Sequence, residues 1–104
     1  MTRLHDLAEL GQAVWLDYIR RSLITSGELQ ALIDSGVRGV TSNPTIFERA
    51  ISGSSDYDRA LEGVVAEDSS VDEIYEALAL EDIGHAADLL RPLYDETEGA
   101  DGYV

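Results

Sequence analysis

Apolar residues near the start of the chain first follow a helical spacing and then form a continuous run. Residues 3–9 are typical of a short helix that Gly11 ends. Residues 13–16 are four apolar residues in a row, which is too short a run for a helix and leads directly into Asp17. We therefore expect a helix and then a first strand that ends at Asp17.

The next segment carries the signals of a helix followed by a second strand. Thr25 and Glu28 have the three-residue spacing of a capping box. After them Gly36 is placed to end a helix whose apolar stripe consists of Leu29, Leu32 and Ile33. Residues 37–42 alternate and include β-branched side chains, which predicts the second strand.

Asn43 and Pro44 predict the start of another helix, because Asn caps helices well and Pro fits the first helical position. The apolar face of this helix would consist of Ile46, Phe47, Ala50 and Ile51. After a break at Gly53, Ser55 is placed to cap a helix over residues 57–66.

The second half of the chain is predicted to be helical until its last residues. Ser70 and Glu73 repeat the capping-box spacing, and a helical period continues over residues 82–96. Pro92 within that period predicts a kink or a new first turn. Residues 103–104 follow a turn and predict the start of a strand. Because the sequence ends inside this element, we expect a chain truncated after the start of its third strand.

The predicted elements follow the order strand, helix, strand, helices, strand, which is typical of βα units with a parallel sheet. We therefore expect residues 1–104 to be one segment of an α/β domain. In such folds functional groups gather at the carboxyl ends of the strands. Asp17 ends the first strand, and Thr41 and Asn43 lie at the end of the second. A carboxylate there could move a proton, and a carboxamide could bind a sugar hydroxyl. Asp17 could equally be a loop carboxylate or a cap, and Asn43 simply an N-cap.

Charge and composition exclude several classes of protein. The 104 residues include 21 acidic and seven basic residues, for a net charge of −14, which argues against binding to nucleic acid or an anionic membrane. Through Ser54 the chain carries six acids and five Arg, whereas fifteen acids and two Arg follow from Ser55 onward, which predicts solvated helix faces there. All seven basic residues are Arg, so no lysine is present to form a Schiff base. The absence of Cys and of a secretory signal fits the cytoplasm.

Two stretches of the chain resemble transaldolases. They are residues 15–21 (Trp-Leu-Asp-Tyr-Ile-Arg-Arg) and, more specifically, residues 39–47 (Gly-Val-Thr-Ser-Asn-Pro-Thr-Ile-Phe); residues 101–104 are similar to the family's next strand. The resemblance covers this chain but only the first third of a transaldolase. It implies the N-terminal portion of a (β/α)8 (TIM) barrel of the class I aldolase type.

The resemblance also implies a reaction and a site. Transaldolases of the pentose phosphate pathway transfer a dihydroxyacetone unit from sedoheptulose 7-phosphate to glyceraldehyde 3-phosphate, with a lysine imine and no metal or organic cofactor. Asp17 matches the family's proton-transferring aspartate, Asn43 its substrate-binding asparagine, and Thr41 lies on the same strand end. The family's glutamate would lie just past Val104, and its Schiff-base lysine is absent, so we expect these 104 residues alone to be inactive.

Two other interpretations stay open at this point. A small acidic α/β module that binds a partner without catalysis would account for the missing lysine and the short length. A fragment of a related sugar-phosphate aldolase would share the barrel and differ in whether the three-carbon unit is released or transferred. For the transaldolase interpretation the partners are phosphorylated sugars.

Overall fold

The computed structural model describes residues 2–53, 55–59 and 70–104. Its elements follow one another in the order α1 (Arg3–Glu9), β1 (Trp15–Leu16), α2 (Arg21–Thr25), α3 (Glu28–Ser35), β2 (Gly39–Val40), α4 (Pro44–Ser52) and α5 (Val71–Glu96). The predicted alternation of strands and helices is confirmed over this part of the chain. The helix predicted for residues 57–66 falls mainly outside the described residues.

The two strands are parallel neighbours, as the sequence predicts. Trp15 lies opposite Gly39 and Leu16 opposite Val40. Gly39 also forms a parallel bridge with Tyr103, so β2 lies between β1 and the last residues of the chain. The third strand is therefore present as a single bridge, in the order expected of consecutive βα units.

The two faces of the sheet have different surroundings. On one face Val40 is fully buried, and Leu16 packs against the same core cluster of helix residues. On the other face the ring of Trp15 lies over Gly39 and keeps 42% of its surface exposed. Because side chains alternate along a strand, the residues two positions after Trp15 and Gly39 project from this second face as well.

The core lies between the first face of the sheet and the helices. Helices α2 and α3 both contact α5. The buried residues that join these elements are Ile19, Leu23, Leu29, Val40, Tyr57, Leu78, Ala86 and Leu90. Burying apolar side chains of this size contributes about 1.5–3 kcal/mol each, so this cluster is the main stabilising feature of the described part.

Two helix starts confirm the sequence signals. Asn43 caps α4, with its side chain accepting the N–H of Thr45, and Pro44 is the first helical residue. Ser70 caps α5, and its hydroxyl accepts the N–H of Glu73 at 3.2 Å. Short polar side chains with a free acceptor can satisfy these otherwise unpaired N–H groups, which explains why both caps were readable from the sequence.

The capping box predicted at Thr25 and Glu28 is wrong. Thr25 is the last residue of α2, a short helix that the sequence pattern did not reveal. Gly27 follows in a left-handed conformation (φ 84°) and separates α2 from α3. Gly27 is the N-cap residue of α3 and makes no side-chain cap, while the N–H of Glu28 donates to the hydroxyl of Ser26 at 3.3 Å.

The strands and the last helix also differ from expectation in extent. The strands cover residues 39–40 of the predicted 37–42 and residues 15–16 of the predicted 13–16, and inter-strand hydrogen bonds from the N–H groups of Arg38 and Thr41 flank them. Helix α5 is one element of 26 residues that runs through Pro92, so the proline does not begin a new helix. A proline costs the helix one hydrogen bond to the carbonyl four residues earlier, and that residue, Asp88, is exposed to water here.

The ring of Trp15 lies so close to Gly39 that we expect any larger residue at position 39 to disturb it. A Cβ at this position would lie 2.4 Å from a ring atom of Trp15, so we expect Gly39→Ala to displace the ring and to lower the free energy of unfolding by about 1–3 kcal/mol. Trp15 is the only tryptophan, so its fluorescence emission should shift to the red while urea denaturation measures the stability.

The matched control is Gly84→Ala, which lies within α5 and has nothing within 4 Å of the added methyl group. Alanine favours helices over glycine, so we expect this variant to gain up to about 1 kcal/mol without a change in emission. A Gly39→Ala chain with unaltered stability and emission would contradict the packing of Trp15 on the strand.

Candidate functional site

Asp17 and Thr41 lie side by side directly after the two parallel strands. Each follows a strand residue, Leu16 or Val40, and the N–H of Thr41 donates to the carbonyl of Leu16 at 2.9 Å. Asp17 is two residues after Trp15 and Thr41 two residues after Gly39, so both project from the sheet face opposite the buried core. The sequence-based prediction that these residues meet at one edge of the sheet is confirmed.

A hydrogen bond joins the two side chains. The hydroxyl of Thr41 donates to Oδ1 of Asp17 at 2.5 Å. Hydrogen bonds to an ionised carboxylate are short and strong, so this bond fixes the orientation of the carboxyl group. No described residue donates a hydrogen bond to Oδ2, and Asp17 is an exposed residue. Asp17 is thus held in place by one of its two carboxylate oxygens.

Asn43 lies two residues beyond Thr41, at the start of α4. Its Oδ1 accepts the N–H of Thr45 at 2.9 Å, so the N-cap interpretation is confirmed. A carboxamide also carries an NH₂ group with two donors, and the residue is exposed. The cap therefore orients the side chain without using its donors, and the substrate-binding role stays a prediction.

A buried polar cluster that was not predicted from the sequence joins the start of α2 to α5. Asp82 of α5 is 0% exposed, and its carboxylate accepts the hydroxyl of Tyr57 at 2.5 Å and Nε of Arg21 at 2.8 Å. The hydroxyl of Tyr57 in turn accepts the backbone N–H of Arg21 at 3.0 Å. Burial, and then the hydrogen bond to Asp82, raise the pKa of the Tyr57 hydroxyl well above its usual value, so it remains a donor. A signal was present, because Asp82 continues the i, i+4 stripe of Leu78 and Ala86.

A second ion pair adjoins this cluster. The guanidinium of Arg20 donates to both carboxylate oxygens of Asp56, at 2.6 and 3.2 Å. One of these oxygens also accepts the N–H of Ser22 at 3.1 Å. The hydrogen bond from Arg20, with smaller contributions from Ser22, holds the pKa of the Asp56 carboxyl well below its ordinary range. The carboxylate therefore stays ionised at all ordinary pH values.

Comparison with known proteins decides the family. Residues 14–104 match the family described as Transaldolase/Fructose-6-phosphate aldolase. The chain belongs to this family. The resemblance seen in residues 15–21 and 39–47 is thereby confirmed.

Individual members of the transaldolase family are similar over nearly the whole chain. A transaldolase of Trichodesmium erythraeum is 47% identical over 102 residues, which are 97% of this chain and 27% of the relative. A transaldolase of Thiobacillus denitrificans is 45% identical over 100 residues, or 95% of this chain and 28% of the relative. One from Neisseria meningitidis is 39% identical over 104 residues, or 100% and 30%. The chain thus spans between a quarter and a third of the length of these relatives.

The described residues form neither a metal-ligand cluster nor a membrane-spanning helix. Among residues 2–53, 55–59 and 70–104, no three His, Asp or Glu side chains come together as metal ligands would. His5 helps to cap the start of its own helix, because its Nδ1 accepts the N–H of Thr2 at 3.0 Å. None of the described helices has the length and apolar character needed to cross a bilayer. A pocket of about 320 Å³ beside α2 and α3 is lined by residues such as Tyr18 and Leu32 and does not include Asp17.

The depressed pKa of Asp56 predicts how the stability of this transaldolase-family chain depends on pH. The folded-state pKa lies below the unfolded-state value of about 3.9, so the ionised carboxylate contributes stability that is fully present above that value. This contribution is lost as the pH falls through the unfolded-state pKa towards the folded-state pKa. We expect the free energy of unfolding to decrease between about pH 5 and pH 2, and Asp56→Asn to flatten that decrease.

The control for this prediction is Asp95→Asn. Asp95 pairs with Arg91 on the surface of α5, where the side chains are 60% and 70% exposed. Exposed pairs of this kind contribute little, so this variant should keep the acid-induced decrease of the unaltered chain. Urea denaturation at a series of pH values measures both. The prediction fails if the two variants flatten the profile equally.

Proposed function

We propose that this chain functions as part of a transaldolase, in which a dihydroxyacetone unit passes from sedoheptulose 7-phosphate to glyceraldehyde 3-phosphate through a lysine Schiff base. The described strands would be neighbouring strands of a (β/α)8 barrel. A complete barrel of this type takes about 250 residues, so most strands would come from residues other than these 104.

The observation that carries the proposal is the hydrogen-bonded pair of Asp17 and Thr41. In a (β/α)8 barrel the helices surround the sheet, and the chemistry takes place at the carboxyl ends of the strands. This pair lies at the carboxyl ends of two adjacent parallel strands, on the face away from the core that packs against the helices. The membership in the transaldolase family supports the same interpretation.

Asp17 suits the proton transfer that carbon–carbon cleavage requires. When the bond next to the imine breaks, a neighbouring hydroxyl group becomes a carbonyl group and must lose its proton. Oδ2 of Asp17 would accept that proton and return it to the acceptor aldehyde in the reverse sense. Thr41, bound to Oδ1, would keep the carboxylate in the required orientation.

Asn43 suits the recognition of a sugar hydroxyl. Its Oδ1 is occupied by the N–H of Thr45, which leaves the NH₂ group as the half that can contact a ligand. A donor of this kind would bind a hydroxyl of the dihydroxyacetone unit. We propose this role for Asn43 and a supporting role for Thr41.

The imine itself would form on a lysine outside these 104 residues. Class I chemistry needs a primary amine, and this sequence contains seven Arg and no Lys. The lysine would therefore come from another part of the barrel, with the imine as electron sink in place of a metal or organic cofactor. This proposal also places the reaction in the cytoplasm, with phosphorylated sugars as substrates.

The family description also names fructose-6-phosphate aldolase, which gives a second candidate function. An aldolase releases the three-carbon unit as free dihydroxyacetone, whereas a transaldolase passes it to an aldose. The relatives at 39–47% identity carry the name transaldolase, which favours transfer.

A chimera tests the proposal. This chain would replace the segment that it matches in the Trichodesmium erythraeum transaldolase, with which it shares 47% identity. We expect the purified chimera to convert fructose 6-phosphate and erythrose 4-phosphate into sedoheptulose 7-phosphate and glyceraldehyde 3-phosphate. Release of free dihydroxyacetone without transfer would indicate the aldolase. A folded chimera with neither activity would support a non-catalytic module.

A further inference from the structure

Helix α2 begins without a cap of its own. Arg20 is its N-cap residue and its side chain caps no backbone N–H group. The first N–H groups of a helix have no partner inside the helix, so they need acceptors from elsewhere. A five-residue helix has few internal hydrogen bonds, which makes its position depend on such outside contacts.

The missing acceptors come from side chains far along the chain. The N–H of Arg21 donates to the hydroxyl of Tyr57 at 3.0 Å, and the N–H of Ser22 donates to a carboxylate oxygen of Asp56 at 3.1 Å. The hydroxyl of Tyr57 is fixed in turn by its own bond to buried Asp82. We call Asp56, Tyr57 and Asp82 the remote cap of α2.

The remote cap also holds the two arginines at this turn by their side chains. Nε of Arg20 donates to Asp56 at 2.6 Å, and Nε of Arg21 donates to Asp82 at 2.8 Å. The guanidinium of Arg21 further lies over the ring of Tyr57, 4.7 Å from its centre. Backbone and side chains at the start of α2 are thus bound to the same three residues.

Only three residues separate Asp17 from this anchored turn. Ile19, in the middle of the connection, is fully buried in the core. On the other side Asp17 is tied to β2 through Thr41. The segment between β1 and α2 is therefore fixed at both ends, and the remote cap provides one of the two attachments.

We propose that the remote cap positions Asp17, by fixing the first turn of α2 and through it the short segment that carries this carboxylate. The inference rests on the proposed function, in which Asp17 is the group that transfers the proton. Asp56, Tyr57 and Asp82 are then positioning residues that act through α2 and touch no substrate. A displacement of α2 changes where the carboxylate lies, while the strand ends stay paired.

Amide hydrogen exchange on the full 104-residue chain tests the first part of this proposal. Tyr57→Phe should speed exchange at Arg21 by roughly 10- to 100-fold, because the hydroxyl acceptor is lost, while Ser22 keeps its protection. Asp56→Ala should do the same at Ser22. Asp56→Asn should restore most of the protection at Ser22, since its amide oxygen can still accept the bond.

The position of Asp17 is then read from the ¹³C resonance of its carboxyl group, followed across pH. We expect this titration to differ from that of the unaltered chain in Tyr57→Phe and in Asp56→Ala, and to return towards it in Asp56→Asn. Val37→Ala is the control, because Val37 is buried but lies outside the core cluster that contains Ile19 and Tyr57, so the substitution lowers stability without removing a group next to the remote cap. It should leave the Asp17 titration unaltered.

The outcomes separate this proposal from the proposed function. An Asp17 titration that is the same in all variants, or that changes equally in Val37→Ala, overturns the positioning role. No substrate takes part in the measurement, so an inactive chimera bears on the transaldolase proposal alone. If Tyr57→Phe fails to fold, the pair Asp56→Ala and Asp56→Asn decides the question by itself.

Discussion

Asp17→Asn in the chimera should slow transfer of the dihydroxyacetone unit by roughly 10²- to 10⁴-fold, the usual effect of removing a positioned acid/base group. The amide occupies nearly the same volume and can still accept the hydroxyl of Thr41, which donates to Asp17 at 2.5 Å. It cannot take up or return a proton. We therefore expect kcat to fall while the fold and the KM for fructose 6-phosphate stay close to those of the unaltered chimera.

The control for Asp17 is Asp34→Asn. Asp34 is exposed on α3 and accepts a hydrogen bond from Gln30 at 3.0 Å, which an amide oxygen can also accept. Its turnover should equal that of the unaltered chimera. Initial rates of sedoheptulose 7-phosphate formation by matched, folded samples provide the comparison. Near-normal turnover by Asp17→Asn would remove this carboxylate from the mechanism.

The second large effect is a complete absence of imine formation by the 104-residue chain alone. Its seven basic side chains are all Arg, and a guanidinium stays protonated near neutral pH and is a poor nucleophile. The α-amino group of the first residue is the only primary amine, and the neighbouring Thr2 bonds to the carbonyl of Ser35 before β2, at the end of the strands away from Asp17. Incubation with fructose 6-phosphate followed by borohydride reduction should therefore leave the intact mass of the chain unchanged.

A stoichiometric gain equal to one reduced dihydroxyacetone unit would contradict this prediction. Peptide mapping would then locate the amine responsible within these residues. The Trichodesmium erythraeum transaldolase, treated in the same way, is the positive control, because we propose that a lysine of this family forms the imine that borohydride traps.

Local sequence signals predicted the parts of the fold that depend on local interactions. Asn43 and Ser70 cap their own helices through bonds that span two or three residues, so the printed sequence was sufficient to find them. The start of α2 is different, because its acceptors lie on Asp56 and Tyr57, more than thirty residues away. Such tertiary contacts have no local sequence motif. The capping pattern at Thr25 was therefore assigned to the start of α3, whereas Thr25 is the last residue of α2.

The candidate site was likewise predictable from the sequence only in part. Asp17 and Thr41 were predicted to meet because the carboxyl ends of parallel strands share one edge of a sheet. The hydrogen bond between them depends on the register that places Leu16 opposite Val40, which a single sequence does not specify. Asp82 was overlooked because most acids in this half of the chain are solvated, and only its place in an apolar stripe distinguishes it.

The central claim is that these strands and a lysine supplied from outside the 104 residues form one active site. Borohydride trapping of the chimera with fructose 6-phosphate, followed by peptide mapping, tests it most directly. We expect one dihydroxyacetone unit per chimera, attached to a lysine of the relative's segment, while Asp17→Asn slows its onward transfer. A chimera that unfolds cooperatively yet traps no adduct, or traps it within the 104 residues, would show that these strands and an outside lysine do not form one active site.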